Sequence, residues 1–156
     1  MTDAPASADI KPAATILLLR DDPAFEVLMV KRHHQIDFAS GALVFPGGKS
    51  HAGDHDPAWA EHVLGWEAYD ADQRGLRIAA IREVFEEAGI LLAKRRDGAA
   101  MSGEACPMDV RQAVDAGTTR FIDVVSDLEA RLDLSALTLF ARWITPPLPP
   151  KRFDTW

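Results

Sequence analysis

The clearest periodicity lies in the middle of the chain. Ile78, Ile81, Val84, Phe85 and Ala88 recur at three- and four-residue spacing, which predicts a helix over about Leu76–Ala88 with these side chains along one side. At 100° per residue, Glu83, Glu86 and Glu87 fall together on the other side, within an arc of roughly 100°. Gly89 follows the last periodic position and suits the left-handed residue that ends a helix. Apolar runs elsewhere are shorter. Ala14–Leu19 reads as a buried strand, Asp21-Asp22-Pro23 as a turn, and Phe25–Val30 as the second strand of a hairpin. Leu43–Phe45 predicts a short strand ended by Pro46 and the Gly47-Gly48 pair, after a polar loop over residues 31–42.

Past the central helix, Ile90–Ala93 predicts a strand and Met108–Ala116 a helix. A second helix is expected over Thr119–Leu132, where Phe121, Val124, Val125, Leu128 and Leu132 repeat at helical spacing. Leu137–Ile144 reads as a strand, followed by the stiff Pro146-Pro147-Leu148-Pro149-Pro150 loop. Residues 1–12, rich in Ala, Pro, Ser and Asp, read as a disordered lead to a single domain over residues 13–156.

Composition narrows the classes. The 156 residues are 47% apolar and 26% charged, enough for one domain with a real core. A net charge of −7 argues against nucleic-acid binding through the bulk surface, so an anionic ligand must be drawn by local cations or bound metal. No apolar run is long enough to span a membrane, and the N-terminus lacks the regions of a signal peptide. The single cysteine, Cys106, excludes an intrachain disulfide and suits a reducing cytoplasm. It reads as a small semi-buried side chain, because no paired base is evident.

The three glutamates on one face then carry the chemistry. Like charges one turn apart destabilise a helix slightly, and a hard cation would compensate. Oxygen-only ligands favour Mg²⁺ or Mn²⁺ over zinc. Taken alone, Glu-x-x-Glu-Glu also fits a solvated acidic face.

The stretch Arg82-Glu83-Val84-Phe85-Glu86-Glu87-Ala88-Gly89-Ile90, with Phe45-Pro46-Gly47-Gly48 upstream, resembles the Nudix hydrolase signature G-x5-E-x7-R-E-U-x-E-E-x-G-U, in which U is aliphatic. Its second half matches at every fixed position, Gly48 fits the leading glycine, and Asp54 stands where the family has glutamate. Twenty-seven residues separate Asp54 from Arg82 where the signature has seven, so an insertion over residues 55–75 splits the box. In this the chain resembles the split-box coenzyme A diphosphatases. The resemblance implies a mixed α/β fold, a sheet between helices, and metal-assisted hydrolysis of a diphosphate in a nucleoside diphosphate derivative. It implies that Glu83, Glu86, Glu87 and the Gly47 carbonyl gather Mg²⁺ or Mn²⁺, and that Arg82 orients Glu83. The base is then Glu83 or a carboxylate farther along than this chain extends. Asp54, one methylene short and next to the insertion, is left outside the metal set.

The upstream Leu28-Met29-Val30-Lys31-Arg32, Gly41 and Phe45-Pro46-Gly47-Gly48 fall at the spacings of a coenzyme A diphosphatase pattern. His33 and Asp37 depart from it, Asp37 replacing an arginine. Lys31 and Arg32 are candidate phosphate contacts, or else a solvated strand end. Coenzyme A or an acyl-coenzyme A is the substrate this favours, with ADP-ribose, a dinucleotide or a nucleoside triphosphate as alternatives. A Nudix-fold binding module without turnover is the reading from another class. Homodimers are common in the family, although no interface is specified here. Trp143 to Pro146 and Arg152 to Thr155 resemble two further elements of those enzymes, after which their chains continue, so the fold is expected to lack its C-terminal strands and helix.

Two other groupings carry less. His51, Asp54, His55 and Asp56 have the composition of a transition-metal site, but loop polarity explains them, His33, His34 and His62 better. Trp59 and Trp66 in the insertion suit a pin to the core better than a lid over substrate.

Overall fold

The computed structural model describes residues 9–31, 41–101, 106–147 and 151–156. Arg32, the remainder of the polar loop up to residue 40 and the first eight residues lie outside that set.

The central helix, α1 (Ala71–Ala88), organises the fold. It starts five residues before the predicted boundary, because Asp70 caps it by accepting from the Gln73 amide at 2.8 Å. It ends at Gly89, whose φ of 72° is left-handed. Its burial is far wider than one stripe. Ile78, Ile81 and Phe85 pack into one core, while Ala79, Ala80 and Val84 pack with Ala14 and Ile16 in a second. The alanines let a strand approach the helix closely.

That strand is β1 (Ile10–Thr15), which pairs antiparallel with β6 (Gly47–Lys49) and parallel with β11 (Arg152–Thr155). The outer strand β10 (Trp143–Ile144) completes a sheet of order β10-β11-β1-β6. β1 begins at Ile10, inside the segment expected to be disordered, and runs only to Thr15. Arg152–Thr155 pairs with Ile10–Ala13, a long-range partner that local composition does not reveal. The strand predicted over Leu137–Ile144 is confined to its last two residues, and Leu139, Phe140, Trp143 and Ile144 are exposed.

Two small ribbons precede the box: β2 (Leu19–Arg20) with β3 (Glu26–Val27), the expected hairpin in shorter form, and β4 (Val30–Lys31) with β5 (Leu43–Val44). On the other side of α1 lies a three-stranded sheet. Its order is β7 (Val63–Leu64), β9 (Ala130–Asp133) and β8 (Ala93–Arg95). α2 (Met108–Asp115) and α3 (Phe121–Asp127) pack beside it. The helix expected through Leu132 therefore stops early. Leu132 and Ala130 are core residues of a strand, and the chain reverses between α3 and β9 with Glu129 at φ 50°.

The insertion is part of this architecture. It supplies a 3₁₀ turn at Pro57–Glu61, strand β7, a second turn at Trp66–Ala68 and the first turn of α1. Trp59 is 1% exposed, its ring packed at a tilt 5.6 Å from that of Phe121, so the tryptophan pins the insertion to the core as expected. The guanidinium of Arg74 lies 4.1 Å over half-buried Trp66, and that of Arg77 lies 4.0 Å over Tyr69. Among the described residues no helix is long and apolar enough to cross a membrane.

Candidate functional site

The glutamate face of α1 is only partly solvated, with Glu87 exposed. Arg82 is 4% exposed, Glu83 is buried and Glu86 is half-buried. Burying a charge is costly unless it is paired, and here one guanidinium serves every partner. Arg82 Nε and Nη2 donate to the two carboxylate oxygens of Asp54 at 2.9 and 3.1 Å. Nη2 also donates to the Lys49 carbonyl at 2.8 Å. Nη1 donates to Glu83 Oε1 at 2.8 Å and to both Glu86 oxygens at 3.1 Å. The planar fork explains why arginine is used: an ammonium has no second arm to span Asp54 while holding two glutamates.

Asp54, 3% exposed, is thus the residue that sequence reasoning undervalued. Its Oδ2 also accepts from the His51 amide at 2.7 Å within the 3₁₀ turn Ala52–His55. The signal was present in the Gly48-x5-Asp54 spacing, but the sequence does not show that the inserted segment folds back. The acidic and histidine residues at 51–56 do not form a separate cluster for a metal. His55 instead bonds Ser50 Oγ through Nε2 at 2.7 Å.

The β6 strand closes the site from the opposite side. The Gly47 amide donates to Glu87 Oε2 at 3.1 Å. A Cβ at Gly47 would lie 2.5 Å from the Ala14 carbonyl, so a side chain there is excluded by the neighbouring strand. α2 closes the helix end. Arg111 Nε donates to the Phe85 carbonyl at 3.1 Å, which also accepts from the Gly89 amide at 3.0 Å, and Nη2 donates to the Glu86 carbonyl at 3.0 Å, in the last turn where helix acceptors lack successors. Neither Arg111 nor Asp115, one turn further on α2, carries a sequence signal for this position. Lys31 lies in exposed β4.

Electrostatics report the imbalance. Three carboxylates, Asp54, Glu83 and Glu86, meet one guanidinium, leaving this group a net charge of −2 when all are ionised. Burial pushes the Glu86 carboxyl up to about 7; Arg82 opposes that rise, and the charges of Glu83 and Asp115 add to it. Burial also raises Glu83 against the opposing pull of Arg82. Burial alone would lower Arg82, but Asp54, Glu83 and Glu86 outweigh it and hold the guanidinium above its ordinary value.

Among the described residues, no three His, Cys, Asp or Glu side chains converge closely enough to hold a metal ion as they stand. Glu83 and Glu86 turn toward Arg82 instead. The donor set nevertheless fits a hard divalent cation: the groups are oxygens, the three glutamates share one helical face, and Asp54, Glu83 and Glu86 together outnumber the guanidinium they share.

Comparison with known proteins bears on the family and the fold. A family model described as the NUDT19 Nudix domain matches residues 68–156. The acyl-coenzyme A diphosphatase NUDT19 of Xenopus laevis is 26% identical over 173 aligned positions, covering 84% of this chain and 46% of that protein. Its Homo sapiens counterpart is 28% identical over 180 positions, covering 87% of this chain and 48% of that protein. The chain therefore spans about half the length of these relatives. A crystal structure of a NUDIX hydrolase from Alicyclobacillus acidocaldarius superposes with a TM-score of 0.78 at 32% identity, covering 96% of this chain and 68% of that one.

Proposed function

Because this chain belongs to the Nudix hydrolase family, we propose that it hydrolyses the diphosphate linkage of a nucleoside diphosphate derivative with Mg²⁺ or Mn²⁺, and that coenzyme A or an acyl-coenzyme A is the substrate class. The observation that carries the reading is the buried excess of carboxylate around Arg82 on the box helix. The substrate class draws support from the two NUDT19 relatives, each bearing the name acyl-coenzyme A diphosphatase. A reducing, cytoplasmic setting is compatible with the lone buried Cys106.

In this reading Glu83, Glu86 and Glu87, with the Gly47 carbonyl, hold the cation. When bound, such an ion neutralises the diphosphate and lowers the pKa of a water that attacks phosphorus. The chain's own residues do the rest. Arg82 fixes the direction of Glu83 and Glu86, and Asp54 fixes Arg82. Glu83 is the base, its proton affinity already raised by burial. Lys31 and Arg32 would meet phosphate groups of the substrate.

A second reading, a Nudix-fold binding module without turnover, is favoured by one observation: Glu83 and Glu86 point at Arg82 rather than converging. Product analysis by chromatography separates the two. The chain is incubated with Mg²⁺ or Mn²⁺ and coenzyme A, an acyl-coenzyme A, ADP-ribose, NADH or a diadenosine polyphosphate, with Glu86→Gln as control. Release of 3′,5′-ADP from coenzyme A, lost in the variant, supports the proposal. Cleavage of another substrate alone replaces the substrate class, and no turnover of any supports the module.

A further inference from the structure

The insertion raises a physical question. Asp54 and Arg82 form a two-pronged buried pair although twenty-seven residues lie between them, and a longer loop costs more entropy to close. Aspartate also reaches one methylene less far than the glutamate of the signature, so its backbone must be held close to the guanidinium. One side chain is placed to do this. Trp59 Nε1 donates to the Gly53 carbonyl at 2.8 Å, and Gly53 immediately precedes Asp54. The indole is almost fully buried and packs at a tilt against Phe121, which packs in turn against Phe85 at 5.3 Å between centroids. Phe85 lies on α1 beside Glu86. The chain of contacts from Arg82 through Asp54, Gly53, Trp59 and Phe121 thus returns to the same helix three residues away.

From the other flank, the His55 ring lies against Gly75 of α1, where a Cβ would come within 2.7 Å of His55 Nε2. Both residues next to Asp54 are therefore held, one by its carbonyl and the other by its ring.

We propose that Trp59 is a positioning residue of the site, a clamp through which the insertion sets Asp54 and so the direction of Arg82. This deepens the metal-centre reading above and rests on it for its functional consequence. The indole N–H is the active feature; the ring volume serves the core.

Two measurements on the full chain keep the clamp and the metal reading apart. The first follows hydrogen exchange of the Arg82 Nε–H by NMR without metal, in wild type, Trp59→Phe, Asp54→Asn and the double variant. Trp59→Phe is expected to speed exchange about tenfold, the factor a lost buried hydrogen bond carries. In the Asp54→Asn background it is expected to add nothing, because the path to Arg82 is already cut. Unchanged exchange in Trp59→Phe, or equal acceleration in both backgrounds, overturns the clamp. If Trp59→Phe fails to fold, benzothienylalanine at position 59 keeps the bicyclic ring and removes only the N–H.

The second titrates Mn²⁺ by EPR. Saturable binding in wild type, weakened at least about tenfold in Glu86→Gln, supports the metal reading. In Trp59→Phe, the clamp predicts weaker Mn²⁺ binding and a lower kcat with KM retained. Absence of wild-type Mn²⁺ binding sinks the metal reading while the exchange data still decide the clamp.

Discussion

Gly48 has no side chain because Glu83 occupies the space one would fill. A Cβ built there would lie 2.5 Å from Glu83 Cδ, against a buried carboxylate held by Arg82. The glycine of the upstream turn and the glutamate of the helix are therefore a fitted pair, separated by 35 positions in the sequence. Gly48→Ala is expected to push Glu83 off Arg82, since the β6 backbone is fixed by its pairing with β1. Mn²⁺ affinity measured by EPR should fall at least about tenfold, with a stability loss of about 1–3 kcal/mol for the overpacked contact. Unaltered Mn²⁺ binding in a folded Gly48→Ala would show that Glu83 does not contribute to the cation site.

Arg82→Lys tests whether the guanidinium fork, rather than a positive charge, is what the site needs. Lysine keeps the charge but cannot span both Asp54 oxygens, the Lys49 carbonyl and two glutamates. Breaking a buried pair leaves carboxylates without a partner and costs about 3–5 kcal/mol. For a chain of this size that corresponds to a thermal midpoint lower by about 10 °C. A midpoint within a degree or two of wild type, read by calorimetry, would mean that charge alone suffices.

Acidity gives a test with a definite sign. Burial raises the Glu86 carboxyl from 4.5 to about 7 in the metal-free protein, so the folded state binds that proton more tightly than the unfolded chain. Its contribution to stability is complete below pH 4.5 and is lost as pH rises through 7. With EDTA present, the thermal midpoint of wild type is expected to fall between pH 5 and 8 relative to Glu86→Gln, whose amide does not titrate. Adding Mn²⁺ should offset the fall, because the cation stabilises the ionised carboxylate. Parallel profiles for the two proteins would refute the assignment to Glu86.

The helix, its glycine stop and its acidic face were legible because they follow a local period that any helix of this sequence must express. The strands were less so: β1 and β9 are fixed by partners far along the chain, and neither Pro12 nor Leu132 announces its partner locally. The site divided the same way. Glu83, Glu86, Glu87 and Arg82 share one helical face and could be read together. Asp54 could not be placed, since its position depends on how the insertion closes through Trp59. Arg111 was silent because it binds backbone carbonyls, which every residue possesses.

The end of α1 supports a last prediction. Gly89 is constrained twice: its φ of 72° disfavours any side chain, and a Cβ would stand 2.8 Å from Arg111 Nη1. Arg111 in turn supplies donors to the carbonyls of Phe85 and Glu86 and places a positive charge at the negative end of the helix. Gly89→Ala should therefore cost more than the usual penalty of about 1–2 kcal/mol for holding a Cβ in the left-handed region, because it also displaces Arg111. Arg111→Ala alone removes the two bonds and the charge, an expected loss of about 1–3 kcal/mol. The two changes act on one contact, so in combination they should cost less than the sum of the single effects. Urea unfolding of the four proteins measures this coupling. Strict additivity would show that Gly89 serves the backbone turn alone, and that Arg111 holds the glutamate-bearing helix independently of it.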